Sequence, residues 1–211
     1  MSISRRRLSV LSGAVVCLLS LSACAAGPGA SPAPTSTASS MGDIVVPPPQ
    51  GRVLGVGTVI EAGGDAQLCL GIVMESYPPQ CAGVPVDGWG WAGLDGSESS
   101  GDTTWGAYAV YGTYDGQRIT VTDAPIMLAL FDPAPLDDPT GGVDGTSDDA
   151  ELTRIQDEML DGWGDRILTS SVERGYVRVL TVWDDGTLQD AVDGAYGERV
   201  VIIDSALREI D

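Results

Sequence analysis

From Arg52 to about Phe131 apolar and polar residues alternate with period two, interrupted at short intervals by Gly, Pro, Asp and Ser. That pattern predicts antiparallel strands joined by tight turns. Val53 to Ile60 reads as one strand and Leu68 to Met74 as a second. Trp89 and Trp91 read as part of a third, with both indoles on one face because strand side chains two apart point the same way. Trp105 to Tyr114 is a fourth, Asp115 and Gly116 form the two-residue loop of a type I′ hairpin into Arg118 to Thr122, and Pro125 to Leu130 supplies a sixth. Six strands in ~80 residues, rich in glycine between Gly83 and Gly112, predict a small antiparallel β-barrel, closed or partly open, such as an OB-like fold.

After Asp149 the period changes. Leu152, Ile155, Met159, Leu160 and Trp163 recur at helical spacing, with Asp148 and Glu151 placed as a capping box and Gly162 or Gly164 as the stop. Tyr176 to Trp183 is nearly continuous in apolar and β-branched residues, as in a strand covered on both faces. Leu188, Ala191, Val192 and Ala195 form a second helical stripe ending at Gly197, and Val200 to Ile203 is another buried strand. A βαβ unit preceded by a helix predicts a small α/β sandwich, so the fold class is α+β. The expected division is residues 51–131 for the barrel, 132–149 for an acidic linker and 150–211 for the α/β part.

The first 50 residues follow neither period. Met1 to Arg7 carries three arginines and Leu8 to Leu21 is uncharged and apolar, the order of a secretory signal. The run breaks at Gly27, Pro28 and Gly29, short of the ~20 apolar residues a spanning helix needs. Leu21, Ser22, Ala23 and Cys24 close it. These four residues resemble the lipobox of bacterial lipoproteins, with leucine, two small residues and the acceptor cysteine in order. The resemblance covers only the leader, residues 1–23, and its acceptor. It implies cleavage after Ala23, a diacylglyceryl group on the Cys24 sulfur, and attachment to the outer face of the cytoplasmic membrane. Two or three acyl chains anchor stably where one does not, at about 0.8 kcal/mol per buried methylene. A plain secretory cleavage after Ala23 or Ala26 is the alternative. Arg5, Arg6 and Arg7 fit either general or twin-arginine export. Residues 24–50, rich in Ser, Pro, Thr, Ala and Gly, read as a tether spanning roughly 30 Å.

Charge and residue usage then narrow the function. Removal of the leader takes three arginines with it and leaves 8 against 30 acidic residues, a net charge of −22. Such a chain lacks the basic footprint that nucleic acid requires and is repelled by anionic headgroups. Every basic residue is arginine, which reads as the codon bias of a GC-rich genome such as an actinobacterium's. The absence of histidine excludes Ser-His-Asp triads, Cys/His pairs and His-based zinc sites. With Cys17 in the leader and Cys24 lipidated, Cys69 and Cys81 are left as a disulfide pair, appropriate to an oxidising compartment and worth roughly 3 kcal/mol by loop closure.

Candidate chemistry is sparse, with no catalytic or metal constellation and no cofactor motif. Asp137, Asp138, Asp144, Asp148 and Asp149 lack the ligand spacing of a calcium loop and read as solvated linker. Trp89, Trp91, Trp105, Tyr108, Tyr111 and Tyr114 supply core bulk or an exposed stacking surface. The disulfide loop, with Glu75, Ser76, Tyr77, Pro78 and Pro79, is stiff and a candidate contact. Tyr77, Trp89, Trp91 and Trp105 are therefore the expected contact residues. Together these observations predict a non-enzymatic, lipid-anchored binding module facing an envelope protein or wall polymer. A wall-directed carboxylate hydrolase or carbohydrate-binding protein using Glu61, Glu75, Asp87 or Asp102 is the alternative.

Overall fold

Strand β1 (Arg52–Ala62) organises the first sheet, because all of its length from Val53 to Ala62 pairs antiparallel with β5 (Thr103–Tyr114). The other edge of β1 is shared between β2 (Asp65–Cys69), which pairs over Thr58–Ala62, and the last strand of the chain. From β2 the ring continues through β3 (Val84–Asp87) to β6 (Ile119–Val121) and back to β5. A closed five-stranded barrel results, with β3 and β6 as its parallel pair. Strands β4 (Ser97–Ser100) and β7 (Ile126–Met127) lie beside β6 along the second edge of β5. The computed structural model describes residues 42–135 and 138–210; the leader, Cys24, most of the expected tether and Asp137 lie outside them.

Val53, Val59, Leu68, Val84, Val86, Tyr108, Val110 and Ile119 fill the barrel. The strands come close enough that glycine is required at the tightest crossing. A Cβ on Gly57 would run into the backbone carbonyl of Cys69, and one on Gly112 would meet that of Thr120. Cys69 ends β2 and is disulfide-bonded to Cys81, as expected, so the chain between them leaves and re-enters at a fixed point.

The second sheet has three strands, in the order β10 (Val201–Ser205), β9 (Tyr176–Thr181), β8 (Ile167–Glu173). Helix α1 (Asp149–Trp163) precedes it, and α2 (Thr187–Tyr196) connects the parallel strands β9 and β10. Asp148 caps α1 by accepting from the Glu151 amide, which satisfies one of the orphan N–H groups of the first turn. Leu152, Ile155, Met159 and Trp163 of α1 and Leu188 and Val192 of α2 form one core with Val177, Val179 and Val201. Leu160, expected in the α1 stripe, is exposed. The free edge of β10 is closed by the Gln189 amide, which donates to Val201 O at 2.9 Å and accepts from Ile203 N at 2.8 Å, removing a template for edge-to-edge pairing.

Four local expectations are corrected. Trp89 and Trp91 lie in a loop after β3, because Gly88, Gly93 and Gly96 take positive φ and break the extended chain. The β5–β6 hairpin is not a two-residue type I′ turn. Tyr114 pairs with Ile119 across a four-residue loop in which the Asp115 carboxylate accepts from the amides of Gln117 and Arg118. The expected sixth strand is two residues long and runs into a 3₁₀ turn at Leu128–Leu130. Finally, β9 is not covered equally on both faces. Val177, Val179 and Thr181 are buried under the helices, whereas Arg178 on the opposite face forks onto Asp204 at 2.9 and 3.0 Å.

The chain joins the two sheets at both ends. The last strand, β11 (Leu207–Ile210), pairs with Arg52–Gly55 of β1, and Leu207 is buried in the barrel core. Conversely Ile44 and Val46, which precede the barrel and were expected in the tether, pack against the α/β core.

Two glycine substitutions test this packing. Gly57→Ala should lower stability by ~1–3 kcal/mol, the usual cost of overpacking. Gly194→Ala, in α2 with open space around its Cβ position, should raise it by roughly 0.5–1 kcal/mol. Thermal melts of both variants against the parent chain give the comparison.

Candidate functional site

The loop closed by Cys69 and Cys81 is held at several points within its span. Met74 N donates to Gln80 O at 2.8 Å, Ser76 N to Met74 O at 2.8 Å, and Ser76 Oγ to Pro78 O at 2.8 Å. The Tyr77–Pro78 peptide is cis. Tyr77 sets its ring edge-on against Trp105 of β5, with centroids 5.2 Å apart and planes at 88°. On this frame Ile72, Met74 and Tyr77 are 71%, 60% and 72% exposed. Single exposed apolar residues are ordinary, but here three fall within one stapled loop.

The aromatic residues expected to act together are divided in two. Trp105 belongs with Tyr77. Trp89 and Trp91 instead gather with Tyr108, at centroid separations of 5.2 Å between the indoles and 5.4 and 6.0 Å to the tyrosine. The indoles meet edge to face and pack against the barrel core, with Trp91 Nε1 donating to Glu61 Oε2 at 3.1 Å. Tyr108 donates to Asp95 O at 2.8 Å, and burial raises its phenol pKa above the ordinary value. Such interlocked rings do not present parallel open faces for stacking.

Three carboxylates of the acidic segment are engaged by the protein itself. Asp138 accepts from Thr140 Oγ1 at 2.8 Å, Thr140 N at 3.0 Å and Gly142 N at 3.0 Å. Asp144 pairs with Arg174 at 2.8 Å, and Asp148 caps α1. Among the described residues no three Asp, Glu or Cys side chains converge as a metal-ligand set. Of the carboxylates considered for hydrolysis, Glu61 is engaged by Trp91 and Asp87 by Arg118. Asp87 and Arg118, with Asp65 and Gln67, line an open polar groove of ≈ 440 Å³ along β2 and β3.

A further cavity of ≈ 350 Å³ was not foreseen. Val45 and Val46 supply one side of it, in a segment held where Ile44 O accepts from Arg166 at 2.6 Å and Pro47 O from Trp183 Nε1 at 2.9 Å. Val45, Val46, Tyr114, Arg166, Val182, Trp183 and Leu188 are among its lining residues. The apolar triplet Ile44-Val45-Val46, set in a Pro/Ser-rich stretch, was the available signal for it. Compared with known proteins, the chain matches no family model, no curated protein and no solved structure.

The Asp138 turn carries a pH dependence. Hydrogen bonds, first from the Thr140 hydroxyl and amide, hold its carboxyl below the usual value. A depressed carboxylate stabilises the fold above its unfolded pKa of about 4 and loses that contribution as pH falls through the lower folded value. Asp138→Asn should therefore be less stable near neutrality and lose less stability than the parent between about pH 7 and about pH 3. Urea midpoints across that range supply the check.

Proposed function

We propose that the chain is a lipid-anchored, extracytoplasmic binding module of the bacterial envelope, without catalytic activity of its own. The lipobox supports Cys24 as the acyl acceptor and the outer face of the cytoplasmic membrane as its place. The acidic body stands off anionic headgroups at the end of the tether. The stapled loop provides the contact with an envelope protein, and the observation that carries this reading is its exposed Ile72, Met74 and Tyr77 on a frame locked by the disulfide and Trp105. A preorganised loop binds without the ordering cost that a flexible one incurs. The closed ring with its parallel β3–β6 pair supports an OB-like barrel, and the β9-α2-β10 unit under two helices supports a small α/β sandwich.

A second reading is carbohydrate binding in the polar groove beside Asp65, Asp87 and Arg118, favoured by its position on the β2–β3 face.

Two measurements test the proposal. Cys24→Ala should move the protein from the membrane fraction to the medium; retention in the membrane would contradict the anchor. A photocrosslinker at Met74 should capture one protein adduct in intact envelopes, and one at Gly194 should not. Equal labelling at both positions, or binding of soluble wall fragments lost on Arg118→Ala, would displace the loop reading in favour of non-specific contact or the groove.

A further inference from the structure

The cavity beside Val45 and Val46 mixes apolar and polar lining, and its guanidinium has no ion-pair partner among the described residues. Arg118, Arg154, Arg174 and Arg178 each pair with Asp or Glu. Among the described residues Arg166 forms no ion pair, in a chain with 30 acidic residues. One of its N–H groups donates to Ile44 O, and the residue lines the cavity with donors to spare. A hydroxyl stands in the same lining. Thr181 is only 4% exposed, lies on the helix-covered face of β9 with Val177 and Val179, and is in the cavity lining.

A guanidinium without a counter-ion and a hydroxyl, lining one hollow together with Val46, Val182 and Trp183, mark where a ligand's polar head belongs. We propose that this cavity binds a small single-chain amphiphilic anion, a monocarboxylate with an aliphatic body, whose head is taken by Arg166 and Thr181 and whose body packs on Val46, Val182, Trp183 and Leu188. The volume of ≈ 350 Å³ is at the small end of ligand pockets and excludes a two-chain lipid. Asp165, exposed and also in the lining, disfavours a second negative charge and so selects a carboxylate over a phosphate dianion.

Octanoate is the probe, titrated into the full chain carrying Cys24→Ala so that no attached acyl chain competes, and followed by calorimetry and tryptophan emission. Saturable binding is expected, with octanol and octylamine at least tenfold weaker and octyl phosphate weaker than octanoate. Arg166→Gln, which also loosens the hold on Ile44, should weaken octanoate at least tenfold more than octanol, whereas Arg208→Gln should change neither. Should Arg166→Gln fail to fold, Thr181→Val, which keeps the side-chain shape, is expected to weaken octanoate severalfold, and Val182→Trp to abolish it by filling the space. Absence of saturable octanoate binding, equal affinity for octanol, or affinity unchanged by these variants would overturn the proposal.

Discussion

The pairing of the last strand with the first holds the rest of the structure in place. Arg52–Gly55 of β1 are partnered by Leu207–Ile210 of β11, and the approach to β11 is fixed by Ala206 N and Leu207 N donating to Thr181 O and Val182 O at the end of β9. Leu207 thereby completes the barrel core after the chain has already built the α/β layer. Ile44 and Val46 make the reverse exchange, packing on the α/β core before the chain enters the barrel. Each small core is thus completed by residues from the far end of the other. Cores of this size are marginal alone, and the exchange is the physical reason they need not be.

The positions of the candidate sites follow. The stapled loop leaves the barrel at Cys69, the end of a strand locked into the ring on both edges, so Ile72, Met74 and Tyr77 are presented from a fixed base. The cavity exists only where the exchanged segment Ile44–Pro47 crosses between the hairpin end at Tyr114 and the residues after β9. The acidic segment is held down by Arg174 and Arg178 in place of running free. Exposed pairs of that kind are individually worth about 0–1 kcal/mol, so their effect is to place the segment more than to stabilise the fold.

Local signals were readable where local physics decides. The existence of β1 and β5, both helices with most of their apolar stripes, the Asp148 cap and the stops at Gly164 and Gly197 stand in the sequence as they stand in the structure. So does the disulfide, since only Cys69 and Cys81 were left to pair. What could not be read was non-local. Leu207–Ile210 looks like a continuation of the preceding buried strand, and nothing near it names β1 as its partner. Ile44–Val46 is hidden by the Pro/Ser composition around it, and β4, Ser97–Ser100, has no apolar residue to mark it as a strand. For the site, tyrosine and proline inside a disulfide loop were informative, but which tryptophan would brace Tyr77 depended on a strand pairing no local pattern encodes. Arg166 could be recognised only after its lack of a carboxylate was visible in three dimensions.

The two cores therefore share their stability through β11 and the Ile44–Pro47 segment. Native-state hydrogen exchange measures this most directly. The ladder amides of β5 in the barrel and of β9 in the α/β sheet should exchange with the same opening free energy, equal to that of global unfolding. Exchange of the β9 amides through a separate, lower-energy opening while those of β5 remain protected would contradict it.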